Sequence, residues 1–263
     1  MSAPRLQIPE NLKAYLEAEH CDDFPINRYY VTELQRKIIK EILDLRDLTK
    51  EMQAMNLDYL NTTLLYGPSG TGKTTFAKYL AYILDLDFVY INFAKLIDGV
   101  FGNTSRNISD IFRFMATQDC IFMLDEIDCI AQKRGTESAA TGGELGRITV
   151  TIMQELDYYR KNKVKCIILG GTNRRDIMDE ALFSRFSMAK ELIPLSNIEK
   201  QEYIELFLND VGVPYDIDNI SQYCARNTTV RQRNIEADMI RCIASWLKKG
   251  RKNFHLEHIR EDR

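Results

Sequence analysis

A glycine-rich octapeptide runs from Gly67 to Thr74, between an apolar segment and a segment with helical spacing. It reads G-P-S-G-T-G-K-T and fits the pattern G-x-x-x-x-G-K-[ST] at every fixed position. Glycines let such a loop bend so that backbone N–H groups point at phosphate oxygens, and the following helix adds its positive end. The pattern predicts a nucleotide phosphate site formed by Gly67, Pro68, Ser69, Gly70, Thr71, Gly72, Lys73, Thr74 and Thr75.

Two side chains of this loop have predicted roles that follow from their chemistry. Lys73 would reach the β- and γ-phosphates, and the Thr74 hydroxyl would bind Mg²⁺. We therefore expect ATP or ADP and Mg²⁺ as cofactors. The loop predicts nucleotide binding, but it does not show how the energy of the nucleotide is used.

Two adjacent acids, Asp125 and Glu126, follow the apolar run Ile121–Leu124. Parallel strands present ligand-binding residues at their carboxyl ends. Asp125 is predicted to hold Mg²⁺ through water, and Glu126 to polarise the attacking water. Asp128 is either a third acid near the site or a solvated side chain, and we favour the solvated interpretation.

The middle of the chain alternates short apolar runs with helical segments, which predicts an α/β fold with a parallel sheet covered on both faces. The strand-like runs are Thr62–Tyr66, Phe88–Ile91, Ile121–Leu124, Val164–Leu169 and Ala189–Ile193. Helical segments are expected at Thr74–Leu84, Ser105–Thr117 and Glu144–Tyr159. This pattern defines an αβα core over residues 61–194.

The regions on either side of this core have different sequence patterns. Residues 1–60 are mostly polar, with helical spacing from Glu33 to about Met55, and are predicted to be an N-terminal helical linker segment. Residues 195–263 show no strand pattern and are predicted to form a small helical lid domain. Ser196 and Glu199 form a capping-box pattern that opens its first helix. Further helices are expected at Ile217–Ala225 and Val230–Leu247.

The composition of the chain limits the cellular locations and the binding partners that we expect. A net charge of −3 and a pI of about 5.8 predict no general attraction to nucleic acid or anionic membranes. The first residues lack a signal-peptide pattern, and no apolar run approaches the ~20 residues that span a bilayer. The six cysteines are scattered without metal-ligand spacing, which is typical of reduced thiols. These observations predict a cytoplasmic protein with no membrane partner.

With both nucleotide motifs in place, the chain resembles AAA+ ATPases, a branch of the P-loop NTPase superfamily. The segment Gly170–Asn173 is similar to the family's sensor 1, which implies that Asn173 orients the lytic water beside Glu126. The segment Asp179–Phe186 is similar to the one that carries the arginine finger. The resemblance implies that Arg185 reaches the active site of a neighbouring subunit, within a homo-oligomeric ring expected to be a hexamer.

The match departs from the narrow AAA pattern in two places. Many members carry two arginines in the finger segment, whereas this chain has Ser184 and only Arg185. Arg174 and Arg175 lie nearby and could supply a second charge between subunits. The lid helix opens with Thr229-Val-Arg231-Gln-Arg233, where other AAA+ branches place sensor 2. We assign sensor 2 to Arg231 and keep Arg233 as the alternative.

The segment Leu96–Thr104 is similar to the aromatic–glycine pore loop of protein-threading AAA rings. The resemblance implies that Val100 and Phe101 face the pore and that Gly102 lets the loop move; an ordinary loop with a buried Phe is the alternative. The polar stretch 132–144 occupies the position of a second pore loop. Arg147 either contacts a neighbouring subunit or lies on a solvated face.

Two classes of function remain open at this point. The aromatic–glycine loop and the mildly acidic composition favour a motor that remodels or threads protein, guided by a substrate or an adaptor. The single finger arginine, the sensor 2 arginine and the basic segment Lys248–Lys252 favour a nucleic-acid-associated ATPase. A nucleotide-gated scaffold is the third alternative, and Glu126, Asn173 and Arg185 argue against it.

Overall fold

The computed structural model describes residues 4–97, 104–130, 141–162 and 164–258. Within these residues the chain forms two compact units. The first comprises the described parts of Met1–Phe24, Lys37–Gly67 and Lys73–Glu191, and the second those of Pro25–Arg36, Pro68–Gly72 and Leu192–Arg263. Residues 1–60 thus contribute to both units.

The first unit is built on a six-stranded sheet in the order β1-β3-β4-β5-β2-β6. The strands are β1 Leu16–Glu19, β2 Thr62–Tyr66, β3 Asp87–Ile91, β4 Cys120–Leu124, β5 Ile167–Thr172 and β6 Met188–Glu191. The strands β2 to β6 run parallel, and β1 pairs antiparallel with β3. The mostly parallel sheet confirms the predicted fold class.

Most of the helices lie between these strands along the chain, and the last three follow β6. They are α1 Glu33–Ala54, α2 Lys73–Leu84, α3 Phe93–Ile97, α4 Thr104–Met115, α5 Thr141–Lys161, α6 Glu180–Phe183, α7 Asn197–Asp210, α8 Ile217–Arg226 and α9 Gln232–Lys248. No helix among the described residues has a stretch that is long and apolar enough to cross a membrane.

Both faces of the central strands are buried, which explains their continuous apolar sequences. Every residue of β4 is buried. Along β4, Phe122 and Leu124 join a core with the apolar faces of α4 and α5, whereas Ile121 and Met123 alternate to the face on which α2 packs. Burial raises the pKa of the Cys166 thiol to about 12, so this cysteine serves as a small apolar side chain.

The edge strand β1 was not predicted, because the sequence pattern assigned only a helix to residues 1–60. Its four residues include two glutamates and show no apolar run. Tertiary contacts stabilise the strand instead. Glu17 accepts hydrogen bonds from the Tyr90 hydroxyl and, at 3.0 Å, from Lys95 Nζ. A short charged edge strand of this kind is visible only once its partner is in place.

The strand β5 lies three residues further along the chain than the apolar run predicted. Two glycines, Gly170 and Gly171, pair with Leu64 and Leu65 of β2 inside the parallel ladder. Glycine has low strand propensity, so the pattern ended the strand too early. A side chain on Gly170 would lie 2.7 Å from Cζ of Phe186, and the glycine is therefore required by the packing.

The second unit is helical in its carboxyl part, as predicted. The capping box at α7 is present: the Ser196 hydroxyl accepts from the Glu199 N–H, and the Glu199 carboxylate accepts from the Ser196 N–H. Its core is formed mainly by apolar side chains of α7, α8 and α9, including Ile204, Ile220 and Met239.

Candidate functional site

The glycine-rich loop connects β2 to α2, at the carboxyl end of a central parallel strand. Gly67, Gly70 and Gly72 have φ angles of 140°, 81° and 84°, which side-chain-bearing residues rarely adopt. The bend predicted from these glycines is therefore confirmed. Within the loop, the Thr71 hydroxyl donates to the carbonyl of Pro68 at 3.0 Å.

Lys73 is the first residue of α2 and is only 7% exposed. Its Nζ donates to the carbonyl of Gly67 at 2.9 Å and to Oδ1 of Asn173 at 2.7 Å. Asn173 directly follows β5 and is 100 residues away along the chain. The sheet thus brings together the predicted phosphate-binding lysine and the predicted sensor 1 residue.

Thr74 and Asp125 are the two residues predicted to hold a metal ion, and they are in contact. The Thr74 hydroxyl donates to Asp125 Oδ2 at 2.5 Å. A threonine hydroxyl and a carboxylate are oxygen ligands of the kind that Mg²⁺ prefers, so the donor set fits this ion. Thr75, the last residue assigned to the phosphate site, is exposed.

Gly171 explains how Asp125 can lie against the sheet. A Cβ atom at this glycine would be 2.5 Å from Asp125 Oδ1 and 2.6 Å from Met123 Cε. Such distances are shorter than van der Waals contacts, so any side chain at position 171 would displace the carboxylate. The glycine pair that obscured the end of β5 in the sequence therefore leaves room for Asp125, which is predicted to hold the metal ion.

Glu126, the predicted catalytic acid, has backbone angles of φ 52° and ψ 39°. This left-handed conformation is uncommon for a residue with a side chain and is concentrated at functional sites. The Glu126 N–H donates to Asp125 Oδ1 at 3.0 Å, and the Glu126 side chain is exposed. The carboxylate is therefore accessible to water beside Thr74 and Asp125.

The solvated interpretation of Asp128 was wrong. Its side chain is half-buried, and Oδ1 accepts a hydrogen bond from the Asn173 N–H at 3.3 Å. Asp128 therefore helps to hold the backbone of Asn173 beside Lys73. The D-E-x-D spacing carried this signal, but the sequence alone did not show that the third acid would face the residue that follows β5.

Arg185 is held by residues of its own chain. Its Nη2 lies 3.2 Å from Asp157 Oδ2 of α5, and its Nη1 donates to the Ala181 carbonyl at 2.9 Å. The side chain is 29% exposed. Its Nε is buried and has no hydrogen-bond partner among the described residues. No local pattern in the sequence links Arg185 to Asp157, which is 28 residues away along the chain.

The two other arginines of this region differ in their surroundings. Arg174 forms two hydrogen bonds of 3.0 Å with the carboxylate of Asp176. The Arg175 guanidinium lies between the Tyr66 and Phe183 rings, 4.8 and 4.6 Å from their centroids. Of the two, Arg175 is therefore the better candidate for a second charge between subunits, because stacking on aromatic faces leaves the guanidinium N–H edge available.

Arg231 is the N-cap residue of α9, within the second unit. Its Nη1 donates to the Ser69 carbonyl at 3.0 Å, and the Arg233 N–H donates to the Gly70 carbonyl at 3.4 Å. The Arg231 side chain thus contacts the phosphate-binding loop, whereas Arg233 contacts it through the backbone. This difference supports the assignment of sensor 2 to Arg231.

Several predicted residues lie outside the described part of the chain. They include the pore-loop residues Val100, Phe101 and Gly102, and residues 132–140 of the second predicted loop. Arg147 is described, and its side chain is exposed.

Together, the glycine-rich loop after a parallel strand, the buried Lys73 and the Thr74–Asp125 pair define a P-loop nucleoside triphosphatase. Residues 63–193 match the family model of the ATPase family associated with various cellular activities (AAA). The chain carries an AAA ATPase domain and belongs to the AAA+ P-loop superfamily.

Curated relatives agree with this membership. The chain is 33% identical over 159 residues to the 26S proteasome regulatory subunit S10B homolog B of Arabidopsis thaliana, covering 59% of this chain and 39% of the relative. It is 30% identical over 198 residues to the peroxisomal ATPase PEX6 of Saccharomyces cerevisiae, covering 72% of this chain and 19% of the relative. The similarity therefore spans well under half of the length of each relative.

Proposed function

We propose that this chain binds and hydrolyses ATP with Mg²⁺ as a subunit of a ring-forming AAA+ motor that remodels or threads protein. The observation that carries the proposal is the convergence of five residues that follow the ends of three strands. Lys73 contacts Asn173, and Thr74 contacts Asp125, with the carboxylate of Glu126 exposed beside them.

Each of these residues has a defined part in the proposed reaction. Lys73 would neutralise charge on the β- and γ-phosphates, and Glu126 would accept a proton from the attacking water. Asn173 would orient that water, with its backbone held by Asp128. Mg²⁺ bound by Thr74 and Asp125 would neutralise charge that develops on the phosphates.

Arg185 is the residue through which a ring would act. In the proposed cycle, the γ-phosphate of a nucleotide bound to the neighbouring subunit replaces Asp157 as the partner of the Arg185 guanidinium. Partial exposure of Arg185 and its buried Nε support this exchange, because no acceptor among the described residues pairs with that donor. The requirement for a second copy gives the proposal a direct test.

Arg185→Ala should leave ATP binding intact and lower turnover by about 10³–10⁵-fold, the contribution of an arginine finger. Mixing this variant with Glu126→Gln should restore part of the activity, because one subunit supplies the finger and the other supplies the catalytic acid. ATPase rates across mixing ratios, with the mass of the assembly measured with and without ATP, check this result. Absence of rescue at every ratio would count against action between subunits.

The proposal of a protein substrate rests on the pore-loop resemblance at Phe101 and on the kinds of relative. One relative is a regulatory subunit of the 26S proteasome, and others are peroxisomal ATPases. The alternative, a nucleic-acid-associated ATPase, is favoured by the exposed basic residues Lys248, Lys249, Arg251 and Lys252. We place the protein substrate first, because a net charge of −3 gives no overall attraction to nucleic acid.

The effect of each candidate substrate on the rate of ATP turnover distinguishes a protein substrate from nucleic acid. We expect an unfolded polypeptide to stimulate the ATPase severalfold, and Phe101→Ala to remove the stimulation while keeping the basal rate. Leu57→Ala, which removes a side chain that is 54% exposed, is the matched control and should keep the stimulation. Stimulation by single-stranded DNA that falls steeply with salt would favour the nucleic-acid alternative instead.

A further inference from the structure

Lys200 is a buried cation with no acidic partner among the described residues. It lies in the first turn of α7 and is 1% exposed. Burial lowers the pKa of its ammonium group, and no carboxylate offsets this effect. A positive charge near a helix N-terminus also opposes the helix dipole. The buried charge of Lys200 therefore has a cost in stability that its hydrogen bonds must offset.

The ammonium group of Lys200 is used to hold backbone carbonyls. Its Nζ donates to the carbonyl of Asn227 at 3.0 Å and to that of Thr228 at 2.6 Å. Asn227 is the C-cap residue of α8, whose terminal carbonyls carry partial negative charge. Lys200 thus complements the negative end of α8 and fixes the chain where that helix ends.

The segment fixed by Lys200 leads directly to the sensor 2 candidate. The Val230 N–H donates to the Asn227 carbonyl at 3.2 Å and closes a turn. Arg231 follows as the N-cap of α9, and its guanidinium contacts the Ser69 carbonyl of the phosphate-binding loop. A short turn therefore connects the carbonyls that bind Lys200 to the arginine at the nucleotide loop.

We propose that Lys200 is a positioning residue that holds the turn Asn227–Val230 so that Arg231 is directed at the phosphate-binding loop and its nucleotide. The inference rests on the proposed ATPase function and deepens it. Among the described residues, the ammonium group of Lys200 donates to the carbonyls of Asn227 and Thr228 and not to the loop itself. Its ammonium group sets the position of Arg231 through the two backbone carbonyls.

Lys200→Met tests the proposal, because methionine retains most of the buried length and removes the charge. We expect kcat to fall about tenfold to a hundredfold, as for a displaced active-site group, in a variant that still folds. Lys200→Arg should recover part of the rate, since a guanidinium can also donate to carbonyls. Lys40→Met, which removes an exposed lysine of α1, is the matched control and should keep the wild-type rate.

A double-mutant cycle shows whether the effect passes through Arg231. If it does, Lys200→Met combined with Arg231→Ala should be no slower than Arg231→Ala alone. Additive losses, or a Lys200→Met variant with wild-type kcat, would overturn the positioning role.

A second measurement tests the positioning role even if Lys200→Met fails to fold or the wild-type protein shows no ATPase activity. Amide hydrogen exchange is measured in Lys200→Arg and in the wild type. We expect the amides of residues 228–231 and of Ser69 to exchange faster in the variant than in the wild type. Equal exchange in both proteins would overturn the inference without reference to catalysis. A wild-type protein that shows no ATPase activity would contradict the proposed function, but it would not contradict the role of Lys200.

Discussion

Lys73→Ala should lower the affinity for ATP by at least about a hundredfold, because charge-assisted hydrogen bonds to phosphate are among the strongest polar contacts. Lys73 is buried, and its Nζ already contacts Gly67 and Asn173. The alanine variant therefore loses both the phosphate charge partner and the contact that keeps Asn173 in place. Equilibrium binding of a fluorescent ATP analogue and steady-state ATPase rates measure the two losses.

Lys78→Ala is the matched control for this experiment. Lys78 lies on the same helix, is partly exposed and pairs with Glu19 at 2.6 Å, away from the glycine-rich loop. It should retain ATP affinity and turnover. Normal ATP affinity in Lys73→Ala, with Lys78→Ala also normal, would contradict the assignment of the phosphate-binding loop.

Glu126→Gln should retain ATP binding and lower turnover by about 10²–10⁴-fold, the usual contribution of a general base. Glutamine keeps the size and exposure of the side chain, and it can hydrogen-bond water but cannot accept its proton at neutral pH. Single-turnover hydrolysis, measured beside ATP affinity, separates the chemical step from binding. The same variant should accumulate ATP-bound assemblies, which mass measurement detects.

Glu51→Gln, at an exposed position of α1, controls for the change of charge and should keep the wild-type rate. A Glu126→Gln variant that hydrolyses ATP at the wild-type rate would mean that another group activates the water. Asp128 would then be the first to test, because it lies at the same strand end and contacts the Asn173 backbone.

The nucleotide motifs could be read from the sequence because they are local. Gly67–Thr74 and Asp125–Glu126 each lie within one turn after one strand, and a parallel sheet brings strand ends to one edge. Asn173 was found by its order in the chain, and the structure places it 2.7 Å from Lys73. The β-strands were recognised for a similar reason, since burial on both faces requires continuous apolar runs.

The residues that hold the site residues in place could not be predicted in this way, because each contacts a partner that is distant in the chain. Asp128 was interpreted as solvated, but it accepts a hydrogen bond from a residue 45 positions away. Arg185 and Asp157 are 28 positions apart, and Lys200 reaches carbonyls 27 and 28 positions away. Side-chain identity alone does not distinguish such contacts from exposed charges.

For this chain, local patterns therefore predicted the class of fold, the nucleotide loop and the acid proposed to hold the metal ion. Spatial arrangement alone established the edge strand at Leu16–Glu19, the extension of β5 through Gly170 and Gly171, and the charged contacts that orient Asn173, Arg185 and Arg231. The physical reason is the range of the interactions. Backbone bends and apolar periodicity are properties of neighbouring residues, whereas close packing and ion pairing depend on which strand ends and helix ends the completed fold brings into contact.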